Sequence, residues 1–130
     1  MNTLSIDIKD FIIGDSSTFG LEFADNLFIA REPAKPNNTV TIFDTPGSPS
    51  ELNMNKGVYY YDSCQLRIRN VSYEDAMSLG MSLMEYFNGK SHETINNTYY
   101  SLIQASTPVV LEWDDLNRVK VIININVQRR

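Results

Sequence analysis

Apolar residues recur at helical intervals in two stretches of the chain. The first stripe consists of Leu4, Ile8, Phe11 and Ile12. Its spacing predicts an amphipathic helix from about Thr3 to Ile13. The second stripe predicts a helix over Tyr73–Phe87, with Ser72 as its N-cap and Gly89 at its C-terminal end. Gly80 lies inside the second stripe, and a close crossing over a strand would account for a glycine there.

Other segments have the alternation or the β-branched composition of strands. They are Asn26–Arg31, Thr39–Phe43, Val58–Val71, Tyr99–Ser106, Val109–Trp113 and Val119–Val127. In the third of these segments, Cys64, Leu66 and Ile68 alternate with polar side chains. In the last segment, aliphatic residues alternate with mostly polar ones from Val119 onward. This pattern is typical of a sheet that is covered on one face only.

Turn residues predict how these strands are joined. Asp44–Gly47 has the Pro-Gly composition of a tight turn that would end the second strand. Ser48–Gly57 would follow as an exposed loop and is a candidate interaction arm. Asp15–Leu21 is small and polar, which predicts a loop. Asp114–Arg118 predicts another turn, in which Asn117 can take the left-handed conformation.

Together these elements predict an α+β fold, in which a single mixed and mostly antiparallel β-sheet carries two α-helices on one face. Residues 1–130 would form a single domain. The other face of the sheet would be polar. It would carry Gln65, Arg67, Arg69, Lys120, Asn124 and Asn126. Such a face is either wet or pressed against a partner.

Charge and cysteine content narrow the possible functions. The chain has 130 residues and a formal net charge of -5. This charge disfavours a free-standing nucleic-acid binder, because phosphate contacts need clustered Lys and Arg. No apolar run approaches the length of a membrane span. Cys64 is the only cysteine, so an internal disulfide is excluded and a reducing cytoplasm fits the sequence.

No residue pattern indicates catalysis, a bound metal or a cofactor. His92 is the only histidine and lacks partners at ligand spacing. Cys64 lies on the predicted core face of a strand, where a cysteine usually acts as a small apolar residue. The acidic residues that could in principle gather around a nuclease metal are Asp44, Asp62, Glu112, Asp114 and Asp115. Several of them lie at predicted turns, where Asp is common for other reasons, so we expect no enzyme.

Two features of the polar face are candidates for an interface. Alternation places Tyr59 and Tyr61 on one face of their strand, and tyrosine is enriched at interfaces. Aromatic packing within the sheet explains these tyrosines equally well. Arg67, Arg69 and Lys120 would form a positive patch for DNA or for an acidic neighbour. A solvated face whose charges resist aggregation is the simpler explanation of that patch.

The order of these motifs resembles a known family. The motifs are Thr41–Gly47, Tyr59–Asn70, Ser72–Ala76, Tyr100–Gln104, Pro108 and the closing Asn126–Arg130. In this order the chain resembles the minor capsid or tail terminator proteins of long-tailed, siphovirus-type bacteriophages. One departure is the last turn, where the family pattern leads us to expect Asn-Gly and this chain has Leu116-Asn117.

The resemblance implies a structural protein of the virion tail or neck that is synthesised in the bacterial host cytoplasm. Such proteins form a ring, usually hexameric, that caps the head-proximal end of the tail tube and ends its polymerisation. The implied partners are further copies of the chain, the tail tube protein and the head-tail connector protein. DNA would pass through the ring without specific binding, and no membrane, cofactor or small-molecule substrate is implied. The candidate subunit or partner interface comprises Tyr59, Tyr61, Gln65, Arg67, Arg69, Lys120, Asn124 and Asn126.

Other functions stay open on the sequence alone. A head-completion or connector protein of the phage neck would be hard to distinguish from a terminator. A non-viral α+β module could use the polar sheet face to bind a partner or a ligand. A metal-dependent nuclease would require Asp44 or Asp114 at its metal site.

Overall fold

The computed structural model describes residues 1–52 and 58–130, including their side chains except at 16, 17, 50–52 and 58. The helices are α1 (Leu4–Gly14), α2 (Ser16–Phe19) and α3 (Tyr73–Phe87). The strands are β1 (Leu27–Ile29), β2 (Thr39–Leu52), β3 (Val58–Asn70), β4 (Glu93–Ile95), β5 (Thr98–Ala105), β6 (Val109–Trp113) and β7 (Val119–Arg129). No helix in the described part of the chain is long and apolar enough to cross a membrane.

The strands form one mixed sheet in the order β1-β2-β3-β7-β5-β4, with β6 also paired to β7. β1 runs parallel to β2, and the other described strand pairs are antiparallel. One edge of β7 pairs with β3. On the opposite edge, β6 pairs with Val119–Ile122 and β5 pairs with Ile125–Arg129, so β5 and β6 lie end to end. The predicted α+β fold with one mostly antiparallel sheet is confirmed.

Two helices, α1 and α3, pack on one face of this sheet and close the core. The side chains that β7 turns toward them are buried, as the alternation predicted. They are Val119, Val121, Ile123, Ile125 and Val127. The two helices meet through Phe11 and Phe87, whose rings contact edge to face with centroids 6.2 Å apart. Removal of these apolar side chains from water is the main force that holds the layers together.

The limits of α3 follow the sequence prediction. Ser72 Oγ accepts a hydrogen bond from the Asp75 backbone N–H at 3.3 Å, and Gly89 follows the helix with a φ of 86°. A Cβ atom at Gly80 would lie 3.0 Å from Cβ of Pro108 and 3.5 Å from Cδ1 of Ile68. The helix therefore crosses the sheet closely at Gly80, as predicted, because no side chain stands between them.

β2 does not end at Asp44–Gly47, so the predicted turn is wrong. The strand continues to Leu52 beside β3, with register shifts between Thr45 and Ser48 and again after Ser48. A Cβ atom at Gly47 would lie 2.0 Å from the carbonyl oxygen of Tyr61. The Pro-Gly pair therefore serves a bulge in which two backbones approach closely.

This continuation of β2 also corrects the predicted loop over Ser48–Gly57. Residues 48–52 belong to β2, residue 57 precedes β3, and residues 53–57 lie outside the described residues. Two smaller differences concern short elements. α2 lies inside the predicted loop Asp15–Leu21, and β4 was not predicted. Elements of three or four residues contain too few positions to produce a recognisable period.

Asp44 stabilises α1 instead of a turn. Its Oδ1 accepts a hydrogen bond from the Ser5 backbone N–H at 3.0 Å, and its Oδ2 accepts one from Ser5 Oγ at 2.7 Å. Thr3 stands at the N-cap position but makes no side-chain cap hydrogen bond. A strand residue distant in the sequence thus satisfies an amide of the first helical turn, which would otherwise lack a partner in the helix.

Candidate functional site

The sheet face opposite α1 and α3, termed the outer face, carries the polar side chains of β3 and β7. Strand pairing arranges them in rows that cross β2, β3 and β7. The rows are Thr39/Arg69/Lys120, Thr41/Arg67/Ile122, Phe43/Gln65/Asn124 and Thr45/Ser63/Asn126. The register confirms that the predicted polar residues share one face. The rows differ in what covers them.

At one end of the outer face, the segment 32–37 covers Arg69. The Arg69 residue is only 2% exposed. Its guanidinium donates hydrogen bonds to the carbonyl oxygens of Pro36 at 2.7 Å and Asn37 at 3.2 Å. Glu32 Oε1 lies 3.5 Å from Arg69 Nη1 and completes the contact with an ion pair. Arg69 is therefore enclosed by its own chain.

Two further basic residues hold the same segment. Lys120 Nζ lies 3.0 Å from Glu32 Oε1. Arg118 Nε lies 2.7 Å from Asp114 Oδ2, and Arg118 Nη1 donates a hydrogen bond to the carbonyl oxygen of Ala34 at 2.7 Å. The region is termed the clamped end and consists of segment 32–37 with Arg69, Arg118 and Lys120. Its three basic side chains bind groups of their own chain.

The prediction that Arg69 offers its charge on an open sheet face is wrong. Burial and the neighbouring Arg118 lower the pKa of the Arg69 guanidinium, while Glu32 and Asp114 act in the opposite direction. An arginine in a protein nevertheless stays charged, so the charge of Arg69 is balanced within the fold. Sequence reasoning missed this because no local pattern links Glu32 to β3.

Arg67 occupies the neighbouring row and has a different environment. Its guanidinium carbon lies 4.7 Å from the centroid of the Phe43 ring, and its Nη2 donates a hydrogen bond to Gln65 Oε1 at 3.2 Å. Gln65 Nε2 donates in turn to Asn124 Oδ1 at 3.3 Å. Within residues 1–52 and 58–130, Arg67 forms no ion pair, and its Nε is buried without a hydrogen-bond partner. The region is termed the open centre and consists of Phe43, Gln65, Arg67, Ile122 and Asn124.

Beyond the open centre, the next row of the outer face, Ser63 and Asn126, carries no formal charge. Ser63 Oγ donates a hydrogen bond to Asn126 Oδ1 across the strands. An open depression of about 230 Å³ lies beside this pair. Its lining is mostly uncharged and includes Ser48, Tyr61, Ser63, Gln104 and Asn126, with Asp62 as its one acidic residue. The uncharged groups can both donate and accept hydrogen bonds but exert little long-range electrostatic force.

Tyr59 and Tyr61 lie on the outer face near the start of β3, and both are half-buried. The Arg130 guanidinium carbon lies 5.3 Å from the ring centroid of Tyr59 and 5.3 Å from that of Tyr99. Part of the aromatic surface of Tyr59 is therefore used within the fold. The remaining surface of the two tyrosines stays a candidate for a subunit interface.

Three of the acidic residues considered for a nuclease site each have a different partner in the fold. Asp44 binds Ser5 at the start of α1, Asp62 Oδ2 lies 2.7 Å from Arg129 Nε, and Asp114 pairs with Arg118. In the described part of the chain, His, Cys, Asp and Glu side chains form no group of three or more that could hold a metal ion. The geometry gives the nuclease alternative no support.

The surroundings of Cys64 and His92 give neither residue a catalytic setting. Cys64 is fully buried, and this burial, reinforced by the nearby Asp44 carboxylate, raises the pKa of its thiol. Because the thiolate is the reactive form, Cys64 is a poor nucleophile. His92 lies just before β4 and is exposed, and its Nδ1 lies 2.6 Å from the Tyr99 hydroxyl.

Sequence reasoning also missed two apolar features of this surface. Phe43 lies under the Arg67 guanidinium, and the alternation of Thr41, Phe43 and Thr45 could have placed it on the outer face. Val109–Trp113 was predicted as a strand, but all of its residues are exposed in β6. No sequence signal distinguishes an exposed apolar strand from a buried one, because both have the same composition.

The sequence matches a known protein family, and the fold resembles a solved structure. A sequence model of one family, described as bacteriophage tail terminator protein, matches residues 7–129. A chain in the solved structure "Virion of native gene transfer agent (GTA) particle" is similar with a TM-score of 0.69 at 7% sequence identity. That similarity covers 98% of this chain and 94% of the other, and at so low an identity it shows a shared fold alone. No curated protein matches the sequence.

Proposed function

This chain belongs to the bacteriophage tail terminator protein family and is a structural protein of the phage tail, and we propose that it caps the head-proximal end of the tail tube as a ring. The ring, hexameric as is usual for such proteins, ends tail polymerisation and provides the surface for head-tail joining. The family match over residues 7–129 carries this proposal.

The outer face supports an assembly role. Arg67 in the open centre has no carboxylate partner among the described residues, so its charge is available to a neighbouring subunit. We assign the ring contacts to Gln65, Arg67, Asn124 and Asn126, with Tyr59 and Tyr61 as aromatic anchors. Arg and Tyr are the residue types that most often dominate interface energetics. Arg69 and Lys120 support this surface from the clamped end instead of contacting a partner.

Two unlike partners meet such a cap in this proposal, the tail tube protein on one side and the head-tail connector protein on the other. DNA passes through the ring without specific binding. The net charge of -5 and the uncharged amide rows support this, because tight DNA binding needs clustered basic side chains. The chain is made in the host cytoplasm and acts without a cofactor or a small-molecule substrate.

Deletion of the gene from its phage or prophage tests the proposal most directly. Electron microscopy should show DNA-filled heads beside unattached tails, many of them overlong or uneven in length. Full heads beside unjoined tails of normal length would instead identify a head-completion or connector protein of the neck. Normal infectious particles would overturn both virion functions.

Complementation of the deletion with an Arg67→Glu variant tests the open centre. We expect the variant to fold normally, because Arg67 forms no ion pair with any described residue, yet to fail in tail termination. Arg31→Glu is the matched control, since Arg31 is exposed outside the strands and its substitution changes the net charge equally. Arg69 is left unchanged because its substitution would disturb the fold.

A further inference from the structure

The hairpin of β6 and β7 exposes a cluster of large apolar side chains. Among the described residues, β6 pairs with β7 alone, so its outer edge is open. Trp113 is 54% exposed, and Leu116, in the turn that follows, is 64% exposed. The cluster is termed the hairpin patch and comprises Val109, Val110, Leu111, Trp113, Asp115 and Leu116. Large apolar side chains that are exposed together on one hairpin are candidates for an interaction site.

One acidic side chain lies within this patch. Asp115 is exposed between Trp113 and Leu116, and it makes no ion pair with any residue that the structure describes. Its neighbour Asp114 differs, because Arg118 pairs with it. The hairpin patch therefore combines apolar surface with one unpaired negative charge.

The open centre has the complementary character. Arg67 is half-buried, its Nε has no hydrogen-bond partner among the described residues, and its guanidinium stacks on Phe43. Ile122 lies beside it in the same row and is half-buried. A carboxylate brought to this place would pair with the Arg67 guanidinium, which has no carboxylate partner among the described residues, and charge-assisted hydrogen bonds from arginine are among the strongest in proteins.

Within one chain, the hairpin patch adjoins the open centre where Val109 pairs with Ile122, but its turn, which carries Asp115, lies away from Arg67. Arg67 is opposite Ile122 in β7, whereas the hairpin turn lies beyond Val119. The row of Arg69 and Lys120, with the segment that covers it, lies between them. Asp115 can therefore reach an Arg67 only in another copy. In the proposed ring this contact is repeated head to tail, which is the arrangement that closes by rotation.

We infer that the hairpin patch of one copy binds the open centre of the next copy, with the Asp115 carboxylate on the Arg67 guanidinium. Trp113 and Leu116 then cover Phe43 and Ile122. This inference rests on the proposed ring, since it names the contact between adjacent subunits. It commits to a second copy of the chain as the occupant, because the charge and the apolar surface of the two sites complement each other.

A charge exchange in the complete phage tests this pair. Arg67→Asp and Asp115→Arg each place like charges together, and we expect each to reduce infectious particles by about tenfold or more. The Arg67→Asp/Asp115→Arg double variant restores opposite charges and should recover most of the loss. Asp25→Arg is the matched control, because Asp25 is exposed in a turn outside the hairpin patch. Thermal unfolding of each purified variant shows whether it is folded.

The possible results separate this inference from the proposed function. If the gene deletion gives overlong tails but both single variants terminate tails normally, the contact is wrong while the function stands. If the single variants fail and the double variant fails equally, each residue contacts a different protein, and the inference is overturned. If the deletion itself leaves tails normal, the ring and the contact fall together.

Discussion

Two neighbouring regions of the outer face, the clamped end and the open centre, use the same residue type in opposite ways. Arg69 and Arg67 lie two positions apart on one face of β3. Arg69 is 2% exposed and binds Glu32 and two backbone carbonyls. Arg67 is half-buried, stacks on Phe43 and has no carboxylate partner among the described residues.

The difference teaches that a basic strand face is not one functional unit. Segment 32–37 decides which arginine stabilises the fold and which one is available to a partner. A buried arginine whose charge is paired contributes through the integrity of its network. A guanidinium with unused donors beside aromatic surface is instead suited to bind a carboxylate from outside.

The largest effect that separates the two regions is expected from removal of the arginines. Arg69→Ala should lower the free energy of unfolding by about 3–5 kcal/mol, because it leaves Glu32 and two carbonyls without their buried partner. Arg67→Ala should lower it by about 1 kcal/mol or less, since only stacking and one hydrogen bond are lost. Urea denaturation of the purified variants measures both values. Similar losses for the two variants would contradict the distinction.

A smaller effect is expected when the clamp is loosened without removal of either arginine. Glu32→Gln keeps the side-chain shape but removes the charge shared by Arg69 and Lys120, and should cost about 1–3 kcal/mol. Hydrogen exchange should increase in segment 32–37 and stay unchanged at the open centre. Glu22→Gln serves as the control, because Glu22 is exposed and forms no ion pair in the described ranges. Equal exchange in both regions would show that Glu32 does not hold the segment.

The smallest effect is expected at Thr41, which lies beside Arg67 in the row of the open centre. This residue is fully buried, and its Oγ1 has no hydrogen-bond partner in the part of the chain that the structure describes. Thr41→Val replaces the hydroxyl by a methyl group and should raise stability by up to about 1 kcal/mol. Thr45→Val is the comparison variant, since Thr45 is only half-buried. A clear loss of stability in Thr41→Val, measured by urea denaturation, would reveal a partner for the hydroxyl.

Long periodic segments were predictable, because their pattern repeats within one element. The alternation along β7 correctly placed its aliphatic residues in the core, and the stripe from Tyr73 to Phe87 correctly defined α3. The left-handed turn residue Asn117, with a φ of 58°, was also correct. In each case, the signal comes from residues that interact with near neighbours in the chain.

The errors arose where distant segments meet. Pro46-Gly47 has the composition of a turn, but Gly47 is needed because the Tyr61 carbonyl approaches it closely. Asp44 fits a turn equally well, yet its carboxylate accepts hydrogen bonds from Ser5 in α1. Each residue type suits both a tight turn and a contact with a distant segment, and the local sequence pattern alone favours the turn.

The candidate site was predictable only in part. Alternation placed Gln65, Arg67, Asn124 and Asn126 on one face, and the strand register confirms it. Alternation could not show that Arg69 is covered or that β6 is exposed. Both outcomes depend on which other segments lie on or beside the sheet, and the alternation within one strand does not indicate where those segments pack.

The sequence by itself determined the two layers of this protein, the chain order of its long elements and the polar character of the outer face. The reason is that periodic burial of apolar side chains acts within each element. Only the tertiary structure decided that Arg69 forms an ion pair, that Arg67 has no carboxylate partner among the described residues and that the hairpin patch is exposed to solvent. Each of these depends on contacts that desolvate or neutralise a group from a distant part of the chain, and such contacts exist only after the layers have packed.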